Sequence, residues 1–108
     1  MSTAKNNSSA YLPETGTIIK TEQMTDLEKF FDIQLEGKDL GHNPGQFVEV
    51  SIPAIGEAPI SVSSSPTKTG SFEMVIRKAG LVTDAIHQLN EGDKMGIRGP
   101  YGTSFPMD

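Results

Sequence analysis

From Gly16 onward, apolar and polar positions alternate with a period of two in short segments separated by turn residues. That period puts successive side chains on opposite faces, the mark of half-buried strands. Thr17–Met24 (TIIKTEQM) and Lys29–Glu36 (KFFDIQLE) make the first pair. In the second segment Phe31, Ile33 and Leu35 share one face, while Asp32, Gln34 and Glu36 share the other. The loop GKDLGHNPG ends in Pro44-Gly45 and leads to Gln46–Ile52 (QFVEVSI), with Val48, Val50 and Ile52 on one side. A connector containing Pro and Gly precedes a fourth segment, Pro59–Ser64. After a turn at Pro66–Gly70 come Ser71–Lys78 (SFEMVIRK) and, last, Lys94–Arg98 running into GPYG. Strands at this spacing predict an all-β domain, an antiparallel barrel or sandwich.

One segment departs from this period. In GLVTDAIHQLNEGD, Val82, Ile86 and Leu89 fall at helical spacing. Thr83 suits an N-cap, Asp84 the first turn, and Asn90-Glu91-Gly92 a stop. The expectation is one helix of about two turns between the fifth and sixth strands.

Composition narrows the function classes. A chain of 108 residues is one domain, able to bury roughly two-thirds of the surface its unfolded form exposes. With no Cys, disulfides, thiolate metal sites and iron–sulfur ligation within this chain are excluded. A net charge of −5 argues against nucleic acid and anionic membranes as partners, because neutralising phosphates takes an excess of Lys and Arg. No apolar run approaches the ~20 residues that span a bilayer. Residues 1–10, MSTAKNNSSA, lack the apolar core of a signal peptide and read as a disordered leader to a domain over 11–108. The protein is expected to be soluble and cytoplasmic. Two matches near the front, LPETG at 12–16 and glycosylation sequons at Asn6 and Asn7, lack the context that would make them work. The end, Phe105-Pro106-Met107-Asp108, has no feature of a natural terminus, so the chain reads as the N-terminal domain of a longer protein.

Hydrolytic chemistry finds little support. Ser is plentiful, but no nucleophile-elbow sequence or metal-ligand spacing occurs. His42, in a Gly/Asn/Pro loop, and His87, on the short helix, read as solvated surface residues. Two segments are more informative. EAPISVSSSP (57–66) is a strand of hydroxyls and small aliphatics, unlike a core-filling strand. Pro59 withholds a ladder donor, which places this end at an edge or a gap. Alternation sets Ser61 and Ser63 on one face, Ile60 and Val62 on the other. Small side chains beside free backbone groups suit the close approach of a planar heteroaromatic ring, although a plain edge strand would read the same way. The other segment is Lys78–Thr83, where a strand end passes through Gly80 to a helix start. Unpaired N–H groups there favour an anion, by up to ~2 kcal/mol when partly buried. A simple turn and cap would also account for it.

Taken in order, PGQFVEVSIP (44–53), APISVSS (58–64), GLVT (80–83) and GDKMGIRGPYG (92–102) resemble the FAD-binding domain of the ferredoxin–NADP reductase superfamily. The likeness runs from about Tyr11 to Pro106. It is strongest to gamma subunits of soluble Ni-Fe hydrogenases and sulfhydrogenases. The second subunit of anaerobic sulfite reductase and the electron-transfer subunit of dihydroorotate dehydrogenase are similar too. The resemblance implies a six-stranded antiparallel Greek-key barrel with one helix, holding FAD in an extended cleft. The family's Arg-x-Tyr-Ser motif falls on Ala58-Pro59-Ile60-Ser61, so Ser61 would take the catalytic role of donating to the reactive edge of the flavin. Backbone groups around Val75, Ile76 and Arg77 would line the nucleotide, and Gly80, Val82 and Thr83 would receive the pyrophosphate. No metal site is implied within the chain.

Two departures stand out. Ala58 replaces the arginine that pairs with the pyrophosphate, removing a bidentate contact, with Arg77 and Lys78 the nearest cations to stand in. Ile60 replaces the stacking tyrosine, as in the dihydroorotate-type subunits. The resemblance further implies an NAD(P)H-binding domain and a [2Fe-2S] cluster in the part beyond GPYG, and redox partner subunits as electron acceptors. The function expected is therefore the flavin module of an NAD(P)H-linked electron-transfer oxidoreductase subunit, inactive as a fragment. The alternative is a barrel that lost flavin with its arginine and serves as a docking module in a redox complex.

Overall fold

The computed structural model describes residues 13–102. Six strands and one helix follow in the order β1 (Glu14–Gln23), β2 (Glu28–Leu35), β3 (Phe47–Ile52), β4 (Gly56–Ser61), β5 (Phe72–Arg77), α1 (Leu81–His87) and β6 (Lys94–Tyr101). They form a single sheet in the order β4-β3-β6-β1-β2-β5, with every neighbouring pair antiparallel. β6 returns from the end of the chain to slot between β1 and β3, the crossover of a Greek key. The sheet rolls until its two outer strands, β4 and β5, approach each other, so the expected barrel is present. Its closure is not a ladder.

Alternation decides which side chains go inside. Phe31, Ile33 and Leu35 from β2, Val48 and Val50 from β3, and Phe72, Met74 and Ile76 from β5 are all buried. Ile18, Ile60, Met95, Ile97 and Ile86 of α1 complete the core. Gly16 belongs to this packing. A Cβ there would stand 2.6 Å from Ile33 Cγ2 and 2.9 Å from Ile97 Cγ1, so β1 can lie close only because the position has no side chain.

Four local expectations need correction. The fourth strand begins at Gly56 rather than Pro59 and ends at Ser61, because a tight turn after Ile52 lets Gly56 pair with Ile52 at once. β6 continues through Gly99-Pro100 to Tyr101, where a register shift brings Tyr101 opposite Phe47, the ring centroids 5.8 Å apart. The helix starts at Leu81 with Gly80 as its N-cap, so Thr83 sits at the third helical position. From there its hydroxyl reaches back, accepting from the N–H groups of Ala79 (2.8 Å) and Gly80 (3.0 Å), the return half of a capping box.

The fourth correction concerns the histidines, which are buried rather than solvated. Each Nε2 meets a backbone carbonyl, which can only accept, so Nε2 carries the proton. His87 donates to Ile76 O at 2.7 Å, and His42 to Ser64 O at 3.0 Å. Lys29 is buried too, and its ammonium donates to His87 O and Leu89 O, both at 2.9 Å. These carbonyls end α1, where orphan acceptors and the dipole favour a cation. Lys29 thus pins the C-terminal end of α1 to β2, while His87 ties it to β5.

Candidate functional site

The site grows out of the incomplete seam between β4 and β5. Glu73 turns its main-chain groups away from β2: its carbonyl accepts from Ser63 N–H at 2.8 Å, and its N–H donates to Ser64 Oγ at 2.9 Å. In an antiparallel ladder residues alternate between facing one neighbour and facing the other. The N–H and C=O of Val75 and Arg77 therefore lie on this same free edge. On β4, Val62 N–H donates back to Gln46 O at 3.3 Å, so the even-numbered residues serve β3. Pro59 and Ser61 turn their main-chain groups toward the seam.

The seam is zipped at the Ser63–Glu73 end and parted beyond it, where β4 and β5 are not paired. Pro59 gives a physical reason, since it has no N–H to offer across the gap. His42, by holding Ser64 O, fixes the zipped end. At the parted end, β4 and the start of α1 enclose a depression of about 300 Å³ lined by Glu57, Ala58, Pro59, Ala79, Gly80, Leu81, Val82 and Thr83. The two elements come close at Gly56 and Val82: a Cβ on Gly56 would lie 3.2 Å from Val82 Cγ2.

The residues expected from sequence divide accordingly. Ala58, Pro59, Gly80, Val82 and Thr83 come together around the depression. Ser61 lies farther along β4, with its side chain exposed while that of Ile60 is buried, as alternation required. On β5, Ile76 is fully buried and Val75 faces outward. Arg77 also faces outward, its Nη1 3.7 Å from Glu28 Oε2. Thr83 contributes less than its hydroxyl suggested, because that group already accepts two N–H donors and donates to Gly80 O at 3.1 Å.

Sequence reasoning missed the charged pair beside this depression. Arg98 of β6 reaches over β3 and grips Glu57 with two hydrogen bonds, one from Nε to Oε2 at 2.9 Å and one from Nη2 to Oε1. The hydrogen bonds from Arg98 hold the Glu57 carboxyl below its usual range, and the carboxylate raises the guanidinium in turn. Arg98 and Glu57 are 41 residues apart. Only the register reveals their nearness: Glu57 stands opposite Ser51, Ser51 opposite Gly96, and Arg98 opposite Glu49.

A parted seam with open main-chain groups, ending against a helix start, is the context that the four sequence segments require. The family model described as the oxidoreductase FAD-binding domain matches residues 15–105. The chain belongs to this family. Among its curated relatives, sulfhydrogenase 1 subunit gamma of Pyrococcus furiosus is 43% identical over 106 residues, covering 94% of this chain and 36% of that protein. A probable dihydroorotate dehydrogenase B (NAD(+)) electron transfer subunit of Methanocaldococcus jannaschii is 41% identical over 68 residues, covering 63% and 24%. The NADH-dependent reduced ferredoxin-NADP oxidoreductase, whose structure addresses flavin-based electron bifurcation, superposes with a TM-score of 0.72 at 27% identity, covering 82% of this chain and 34% of that one. This FAD-binding domain therefore spans about a third or less of the relatives it matches. Among its described residues no helix is long and apolar enough to cross a membrane.

Proposed function

We propose that this domain holds FAD along the parted β4/β5 seam and serves an NAD(P)H-linked electron-transfer subunit of the sulfhydrogenase or dihydroorotate dehydrogenase kind. The observation that carries this reading is the seam itself. It offers the N–H of Ser61, Val75 and Arg77 and the C=O of Pro59 as ready partners for a long polar cofactor, with the exposed hydroxyl of Ser61 between them. The donors present fit such a group: neutral and directional along its length, with the main chain around Leu81 and Val82 at the phosphate end. Bound FAD would supply the exchange between two-electron and one-electron carriers. The chain's own tasks are then to bind, orient and hydrogen-bond. Ser61 donates toward the reacting edge, the β5 edge lines the nucleotide, and Gly80 allows close approach.

NAD(P)H, a [2Fe-2S] cluster and the partner subunits belong in this reading to regions outside the chain, and the setting is the cytoplasm. The domain by itself takes up flavin without turning over nicotinamide. Titration of the full chain with FAD, followed by flavin fluorescence, tests the reading. Saturable binding that Ser61→Trp weakens supports it.

A second reading has an observation of its own. Ala58 stands where the family motif has arginine, and among the described residues no cationic side chain lines the depression. A docking barrel without flavin would show no FAD-dependent rise in melting temperature at ~100 μM, a concentration at which even a weak site stabilises measurably.

A further inference from the structure

The family motif places its stacking side chain at position 60, and the fold takes that position out of reach. Ile60 is buried and belongs to the core. A flavin ring held at the parted seam therefore needs a face from some other residue. The outer surface beside the seam breaks its own pattern at one step. The outward positions of β2 are Glu28, Phe30, Asp32 and Gln34, and those of β5 are Glu73, Val75 and Arg77. Each strand carries one apolar residue among polar ones, and the two are direct partners, Phe30 opposite Val75.

The charged residues around them are matched with one another. On one side Asp32 stands opposite Glu73, with Lys68 Nζ 3.8 Å from the first and 3.7 Å from the second. On the other side Glu28 stands opposite Arg77, their charged groups 3.7 Å apart. Phe30 and Val75 form an apolar island between these rows, and Val75 stays 39% exposed at the edge of the seam. Its place along the seam is specific. Ser63 and Glu73 zip the closed end, so two residues farther along each strand Ser61 stands across the gap from Val75. The exposed hydroxyl of Ser61, the open main-chain groups of Val75 and the apolar pair thus fall in one row. A flat ring with apolar faces and hydrogen-bonding edges calls for both kinds of contact at one step.

We propose that the side chains of Phe30 and Val75 form the apolar floor on which the flavin ring rests, in place of the stacking side chain that position 60 turns into the core. The inference rests on the FAD reading above. Ser61 fixes an edge of the ring, and Phe30 with Val75 fixes its face.

Titration of the full chain with FAD, at low and high salt, tests this through three variants. Phe30→Leu keeps apolar volume and removes the aromatic face, so FAD should bind about two- to tenfold more weakly. The loss should be the same at both salt concentrations, because no charge changes. Val75→Asp puts a carboxylate under the ring and should weaken FAD by about tenfold or more. The chain has no Trp, so Phe30→Trp introduces a single indole. An indole in contact with a photoexcited flavin quenches its emission by short-range electron transfer, and the bound FAD should gain a fluorescence decay faster than in the wild type. Ile19→Trp, at an exposed position on β1 two strands removed from the seam, should leave that decay unchanged.

A role in cross-strand packing alone would lower the melting temperature of Phe30→Leu without touching FAD affinity, and that result overturns the proposal. So does a Phe30→Trp chain whose bound FAD decays as in the wild type, a readout that stands even if Phe30→Leu does not fold. A wild-type chain that binds no FAD overturns the FAD reading itself and takes this inference with it, which keeps the two failures distinguishable.

Discussion

Replacing Lys29 by Met removes the ammonium that closes the C-terminal end of α1 while keeping a flexible chain of similar length. Two effects oppose each other. An apolar side chain is easier to bury than a cation, which favours the variant. Against this, the carbonyls of His87 and Leu89 lose donors that lie at 2.9 Å, and each buried acceptor left unpaired costs about 1–3 kcal/mol. A cation at a partly buried helix end contributes up to about 2 kcal/mol more, and the ammonium also stands 5.4 Å from the centroid of the Phe31 ring. The net expectation is a loss of about 3 kcal/mol. For a domain of this size that corresponds to a melting temperature lower by about 12–24 °C. Urea unfolding checks it, with the midpoint falling and the slope unchanged. A variant within ~0.5 kcal/mol of the wild type, the ordinary range of a surface substitution, would refute the latch. The same loosening would free the first turn of α1 at the depression, so FAD affinity should fall alongside stability.

Three further outcomes follow from the packing and the charges. Thr83→Val strips the acceptor shared by Ala79 and Gly80 N–H and should cost about 1–2 kcal/mol in chemical unfolding. Gly16→Ala forces a methyl into space held by Ile33 and Ile97 and should destabilise by about 1–3 kcal/mol, read as a lower urea midpoint. For the Glu57–Arg98 pair the sign follows from linkage. The carboxyl is held below its usual 4.5 in the folded state, so its contribution is present above about that pH and lost as pH falls through the folded value. Glu57→Gln should accordingly show a shallower fall in melting temperature than the wild type between neutral pH and pH ~3. A steeper fall would contradict the assigned pairing.

Much of the barrel was legible because its signal is local. The inward residues of β2, β3 and β5 are read directly from alternation, and the Ser/Pro strand announced an edge by the donor that Pro59 lacks. The same alternation places Lys29 on the face of Phe31, Ile33 and Leu35, so an inward lysine was there to be noticed. The helix start was displaced by three residues because a threonine can cap from either side: as the cap itself, or from the third position reaching back. The histidines were misjudged for a different reason. A histidine in a polar loop looks solvated until a carbonyl from a distant strand arrives to receive its proton.

By itself the sequence determined that there are six strands, which faces turn inward, that one short helix interrupts them, and to which family the segments belong. Those are properties of neighbouring residues and of motif order. The tertiary structure alone decided that the seam opens beyond Ser63 and Glu73, that Lys29 finds the end of α1, and that Arg98 finds Glu57. Each depends on register between strands distant in sequence and on how far the sheet rolls before its edges meet. No local pattern encodes those quantities, because they are set by the fit of the whole core.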